Sequence, residues 1–147
     1  MDLIHNIIKN ISFSKEVKER ESNNDLLKII KHFNSDKEQL LRDIVSDADK
    51  IESLGITGII RIIQYQNEMM NKNIVPLSTI WYEIHLHHLH KIYNNRIVLL
   101  LSDNYIRTDI GRTIAKPFYD SIIDTFSNCD LLYDYINSVY NTVFNKN

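Results

Sequence analysis

The chain is poor in residues that break or cross-link a backbone. Of its 147 residues, three are glycine, two are proline and one is cysteine. So few turn formers exclude a fold of many short strands joined by tight turns. The single Cys129 has no partner for an internal disulfide and fits a reducing compartment. Alanine occurs only at positions 48 and 115 while isoleucine and asparagine are heavily used, a bias expected of a low-GC genome. Charge of one sign is also missing. The 17 basic and 19 acidic residues leave a formal net charge of −2, with no field directed at nucleic acid or an anionic membrane. The longest apolar run, Ile97 to Leu101, is far short of the roughly 20 residues of a membrane span. Neither end carries a basic arm or a lipidation signal, and the N-terminus lacks the apolar core and cleavage site of a signal peptide. The expectation is one cytoplasmic domain over residues 1–147, without a membrane span or a nucleic-acid partner.

What is present is a helical period almost everywhere. Ile4, Ile7, Ile8 and Ile11 predict a short first helix. A more polar helix follows Ser14 and ends near Phe33, with Leu26, Leu27, Ile29 and Ile30 as its apolar part. Ser35 to Glu38 reads as a capping box that opens a helix through Leu40, Leu41, Ile44, Ala48 and Ile51, stopped by Gly55. A further helix covers 57–71, with Gln66 in the middle of its apolar face. After a linker from Asn73 to Pro76, one long helix is expected over 77–101. Ser102 and Asp103 then cap a shorter helix to Lys116, and Pro117 suits the first turn of a last long helix. Phe118, Ile122, Phe126, Cys129, Tyr133, Ile136, Tyr140 and Phe144 form its apolar stripe. The fold class is all-α, with six to eight helices.

The segment Trp81 to His90 holds four histidines in six residues. At about 100° per residue, His85 and His88 share a side with Trp81 and Ile84, while His87 and His90 share the other with Glu83. Glu83, His87 and His90 form a surface stripe, but a structural zinc site needs four closed ligands and no second cluster supplies them. No metal site is expected. On the inner side, Arg96 joins His85 and His88, and a buried arginine has to be paired. The core-facing stripes carry almost no Asp or Glu but do carry Gln66, Tyr65 and Trp81. The candidate ligand- or anion-binding set is therefore His85, His88, Arg96, Trp81, Gln66 and Tyr65, rich in donors and poor in anions. Asp103, Arg107, Asp109 and Arg112 read as a solvated charge ladder. No nucleophile elbow, phosphate-binding loop or Asp-rich metal motif is present, and Cys129 lies on an apolar stripe, so no enzyme is expected.

The stretch Asn73-Ile-Val-Pro-Leu-Ser-Thr-Ile-Trp-Tyr82, followed by a long helix, resembles the segment entering the G helix of globin-type sensor domains. Haem-binding members place a proximal histidine shortly before that turn, whereas here no histidine occurs between His32 and His85. The chain is thus similar to the haem-less branch, which includes sporulation histidine kinase sensor domains and free-standing sporulation inhibitory proteins. The resemblance implies a globin-like fold without haem and a homodimer on the last two long helices. It also implies a fatty acid in an apolar tunnel, a halide in a polar chamber, and inhibition of sporulation by competing with a sensor kinase for its signal. The alternative reading is a Bcl-2-like helical protein–protein interaction module of the viral immune or apoptosis type, which needs a surface groove for a partner helix. Gly111-Arg112 is too weak a match to a BH-type signature to carry it.

Overall fold

The computed structural model describes residues 2–25 and 29–145, with only the backbone of Ile56. Among the described residues there are eight α-helices and no strand: α1 (Leu3–Lys9), α2 (Phe13–Ser22), α3 (Asp36–Leu54), α4 (Ile56–Met69), α5 (Thr79–Ile92), α6 (Leu99–Ser102), α7 (Asp109–Ser127) and α8 (Cys129–Val143). The all-α class expected from the sequence is what the chain adopts. By its contacts the chain falls into two compact units, each interrupted in sequence. The first comprises residues up to Ser53 with Val98–Lys116; the second comprises Leu54–Ile97 with residues from Pro117 on.

Local capping explains most helix starts. Asp2 Oδ1 accepts the Ile4 amide at the head of α1, and Ser12 Oγ accepts the Lys15 amide at the head of α2. Ser78 Oγ does the same for the Trp81 amide and opens α5. Gly55 separates α3 from α4 where the sequence places it.

Five boundaries differ from expectation. The polar helix ends at Ser22 rather than near Phe33, and residues 29–34 are not helical; Leu26 and Leu27 lie outside the described residues. Asn23 and Asn24 follow the last turn, and Asn24 has a left-handed φ of 52°, a conformation asparagine tolerates. The histidine helix ends at Ile92 and passes into a π-helical turn over Tyr93–Ile97, where two adjacent asparagines weaken the α-helical ladder. Residues 103–108 form no helix. Pro117 sits inside α7 instead of opening a new helix. Finally, the last apolar stripe is cut at Asn128, whose side chain accepts the amides of Asp130 and Leu131 at 3.0 and 3.2 Å and starts α8 afresh. Cys129 consequently lies exposed at the head of α8 rather than on its buried stripe, which runs through Leu132, Ile136 and Val139.

Candidate functional site

In the second unit, α5 carries Trp81, Tyr82, His85 and Leu89 inward. Trp81 donates from Nε1 to Asn67 Oδ1 at 3.1 Å, a link to α4. Its ring lies 4.1 Å from the His85 ring and meets Tyr140 edge-on at 5.3 Å. Tyr82 stacks on Tyr133 at 4.1 Å, and its hydroxyl donates to Asn137 Oδ1 at 3.2 Å. Burial and the Tyr133 hydroxyl push the Tyr82 phenol up to about 12. His85 is wholly buried, and neither ring nitrogen has a hydrogen-bond partner. Burial first, and the neighbouring His88 second, push its imidazole down to about 4, so the ring is neutral at pH 7.

Of the six residues expected to gather there, the structure brings together Trp81 and His85. His88 and Gln66 are half-buried, whereas Tyr65 and Arg96 lie exposed, so Arg96 does not reach an interior position. The π-helical turn accounts for Arg96: the extra residue per turn rotates it away from the face that an unbroken α-helix gives it. On the opposite side, Glu83 and His87 are exposed, but His90 is half-buried and meets Phe126 edge-on at 5.8 Å. Among the described residues no three His, Cys, Asp or Glu come together in a way that could hold a metal ion. A cavity of about 240 Å³ in this unit is lined by Leu54, Ile59, Ile122, Phe126 and Tyr135 among others.

The first unit departs further from expectation. Its centre is the carboxylate of Glu16 in α2, 1 % exposed and ringed by four cations, two of which, Arg42 and Arg107, also pair with Asp43 Oδ1 at 2.9 and 3.1 Å. Oε1 accepts from Arg20 Nη2 at 3.0 Å and from Arg107 Nη2 at 2.7 Å; Oε2 accepts from Lys50 Nζ at 3.0 Å and from Arg42 Nη2 at 3.4 Å. Burial alone would raise the Glu16 carboxyl, but the Lys50 ammonium and the Arg107 guanidinium outweigh it and hold it at about 2. The cations have further work. Arg42 donates to the Asn10 carbonyl that ends α1, Lys50 to the Tyr105 carbonyl at 2.7 Å, and Arg107 to the Ile30 carbonyl at 3.0 Å. The Arg20 guanidinium stacks 3.8 Å from the centre of the Tyr105 ring. One glutamate thereby joins α1, α2, α3 and the 103–107 turn.

Two expectations fall here. Arg107 is not part of a solvated ladder but a buried member of this ion cluster; of that ladder only Asp109 and Arg112 pair near the surface. And the core does carry acid, in Glu16 and Asp47.

Building this cluster turns α3 inside out. Its buried side is Gln39, Arg42, Ser46, Asp47 and Lys50, while Leu40, Leu41, Ile44 and Val45 are 53, 40, 50 and 41 % exposed. The exposed aliphatic side meets Ile110 and Ile114 from the start of α7, themselves exposed, and together they form an apolar groove of about 350 Å³. Its floor is fixed by Asp47. Oδ1 accepts the Arg107 amide, and Oδ2 accepts both the amide and the hydroxyl of Thr108, at 2.7–2.8 Å. Gly111 permits that approach, since a Cβ there would lie 2.5 Å from Asp47 Oδ2.

The reversal was missed because a helical wheel shows two faces without saying which is inside, and the apolar face is the usual answer. A signal existed: Gln39, Arg42, Ser46 and Lys50 repeat at the same spacing as the aliphatics, and Glu16 and Arg20 stand four apart in a helix otherwise without a core face. No family model, curated protein or solved structure matches this chain.

Proposed function

We propose that this chain is a non-enzymatic helical binding module that takes an amphipathic helix of a protein partner in the α3–α7 groove. One observation carries the reading: α3 buries its charged side and leaves its aliphatic side, with Ile110 and Ile114, facing solvent. An isolated exposed leucine is ordinary, but a contiguous aliphatic strip between two helices marks an interaction surface. The mode it fits is a helix laid in a groove, read by anchors at i, i+3 or i+4, and i+7. The groove is held open in advance by the Asp47 bonds to the first turn of α7, which keeps down the ordering cost of binding. The test is capture by a panel of amphipathic helical peptides, comparing the unaltered chain with Ile44→Glu. Equal capture by both would sink the reading.

A second reading is favoured by His85. Two buried ring nitrogens without partners are a costly arrangement unless something occupies them. In the sensor reading suggested by the resemblance, a halide sits at His85 and a fatty acid fills the cavity beside Ile59, Ile122 and Phe126. The chain would then antagonise a kinase by holding its signal. Native mass spectrometry of untagged protein would show the lipid. A halide at His85 would raise its imidazole pKa with increasing bromide, and an unmoved titration would remove the anion.

A further inference from the structure

We infer that the helix accepted by the α3–α7 groove is α3 of a second copy of this chain, laid antiparallel across a two-fold axis so that Lys37 stands beside Glu52 of the partner subunit. This inference rests on the groove reading above and names the occupant. A helix that docks in a groove needs an uncovered aliphatic side with anchors on successive turns. The chain's own α3 has one. Leu40, Ile44 and Ala48 are exposed and Ile51 is half-buried, each one turn after the last, and all four line the groove. The helix is therefore both a wall of the groove and the kind of helix the groove takes. A two-fold contact uses the same patch on both copies, so one association covers both strips.

The charges along the lining carry no net sign, and that suits a copy of the same surface. Asp36 is paired with Lys31 at 2.9 Å. Beyond that pair, exposed Lys37 stands in the first turn of α3 and exposed Glu52 in its last. A border of one sign would repel its own copy, whereas one that is positive at one end and negative at the other attracts it in a single orientation. Antiparallel pairing about a point between Ile44 and Val45 sets Lys37 against Glu52 of the partner subunit and Leu41 against Ala48 of the partner subunit, since the members of each pair lie equally far from that point. Parallel pairing would set lysine on lysine. Ile110 and Ile114, both exposed, flank the contact from α7. A formal net charge of −2 adds little repulsion between copies. From Lys37 to Glu52 the face is about 22 Å long at 1.5 Å per residue, and two helices make it about 20 Å wide. That footprint, roughly 450 Å² per copy, is below the roughly 800 Å² of a standard interface, so the dimer is a weak one, dissociating on the order of tens of micromolar.

Analytical ultracentrifugation of the full chain from about 1 to about 500 µM is expected to show a monomer–dimer equilibrium. Ile44→Glu or Ile110→Ser should leave monomer throughout, with helicity unchanged by circular dichroism. Lys37→Glu alone and Glu52→Lys alone should each weaken the dimer roughly three- to tenfold, and the two together should restore it. Both changes place charges that the helix dipole favours at the ends of α3, so a weaker dimer would not come from a weaker helix. A dimer that survives Ile44→Glu uses another face and overturns the inference. A dimer lost in Ile44→Glu but indifferent to both charge variants overturns the antiparallel pairing. If the chain stays monomeric while it captures a leucine-anchored amphipathic peptide through Ile44, the groove stands and the second copy falls. If it neither dimerises nor captures the peptide, the groove reading falls as well. A monomer that instead floats with phosphatidylcholine vesicles, and loses this in Ile44→Glu, makes a lipid surface the occupant and overturns the inference.

Discussion

The two units solve the problem of an interior in opposite ways. The first gathers four cationic side chains around one carboxylate and leaves aliphatics outside; the second packs Trp81, Tyr82, Leu89 and Ile136 and isolates one histidine among them. In the first, charge is neutralised by geometry. In the second, charge is avoided, and His85 stays neutral because nothing nearby would stabilise its proton. The lesson is that burial selects for satisfied groups rather than for apolar ones, and satisfaction can come from a partner or from losing the charge.

The comparison breaks most sharply at Glu16. Glu16→Gln leaves four buried cations without their common anion and is expected to cost about 3–5 kcal/mol, read as a loss of melting temperature and of urea midpoint. The matching change in the second unit, Trp81→Ala, opens a cavity and is expected to cost a similar amount, about 3–5 kcal/mol; the two should differ in that only the Glu16 variant loses the acid window below pH 4.5.

Acid separates the units by pH. Glu16 has a folded pKa of about 2, below its ordinary value of 4.5, so its contribution is present above pH 4.5 and is lost as pH falls toward 2. That is about 3 kcal/mol over the window. His85 is also depressed, from 6.5 to about 4, but as a base: the unfolded chain takes the proton first, so stability falls as pH drops from 6.5 to 4. Urea midpoints measured from pH 7 to pH 3 should therefore show two windows. His85→Leu should flatten the upper one at little cost at pH 7, because it removes a buried polar ring that bonds nothing. A single window, unmoved by that variant, would contradict the assignment.

Smaller effects sharpen the picture of the first unit. Gly111→Ala pushes a methyl against Asp47 and is expected to cost about 1–3 kcal/mol, with Gly111→Ala in an Asp47→Ala background costing less. Least of all, Ile44→Glu should stay within about 0.5 kcal/mol of the unaltered chain while removing groove binding, since its side chain already faces water.

Much of the helical layout was legible in the sequence, and its orientation was not. The period of 3.6 placed α1, α3, α4 and the start of α5 within a few residues, and Gly55 marked a true boundary. It failed where one side chain overrules a stripe: Asn128 restarts a helix that the aromatic spacing continues, and the Asn94-Asn95 pair turns Arg96 outward. In the candidate sites, Trp81 and His85 were found because both lie on the inward stripe of a continuous helix. The ion cluster was invisible because its members come from positions 16, 20, 42, 50 and 107, and only the fold brings them within reach of one carboxylate. The groove followed from that cluster and was hidden with it.

The outward stripe of α3 also bears on how the first unit responds to temperature. Heat capacity rises on unfolding mainly because apolar surface meets water, typically by about 12–15 cal/mol/K per residue. Leu40, Leu41, Ile44 and Val45 already meet water in the folded chain, and polar groups such as Arg42 and Lys50, when uncovered, act in the opposite sense. Calorimetry should find the chain's increment below that range, with a flatter stability curve and a cold limb displaced to lower temperature. Covering the strip with a bound helix would steepen the curve.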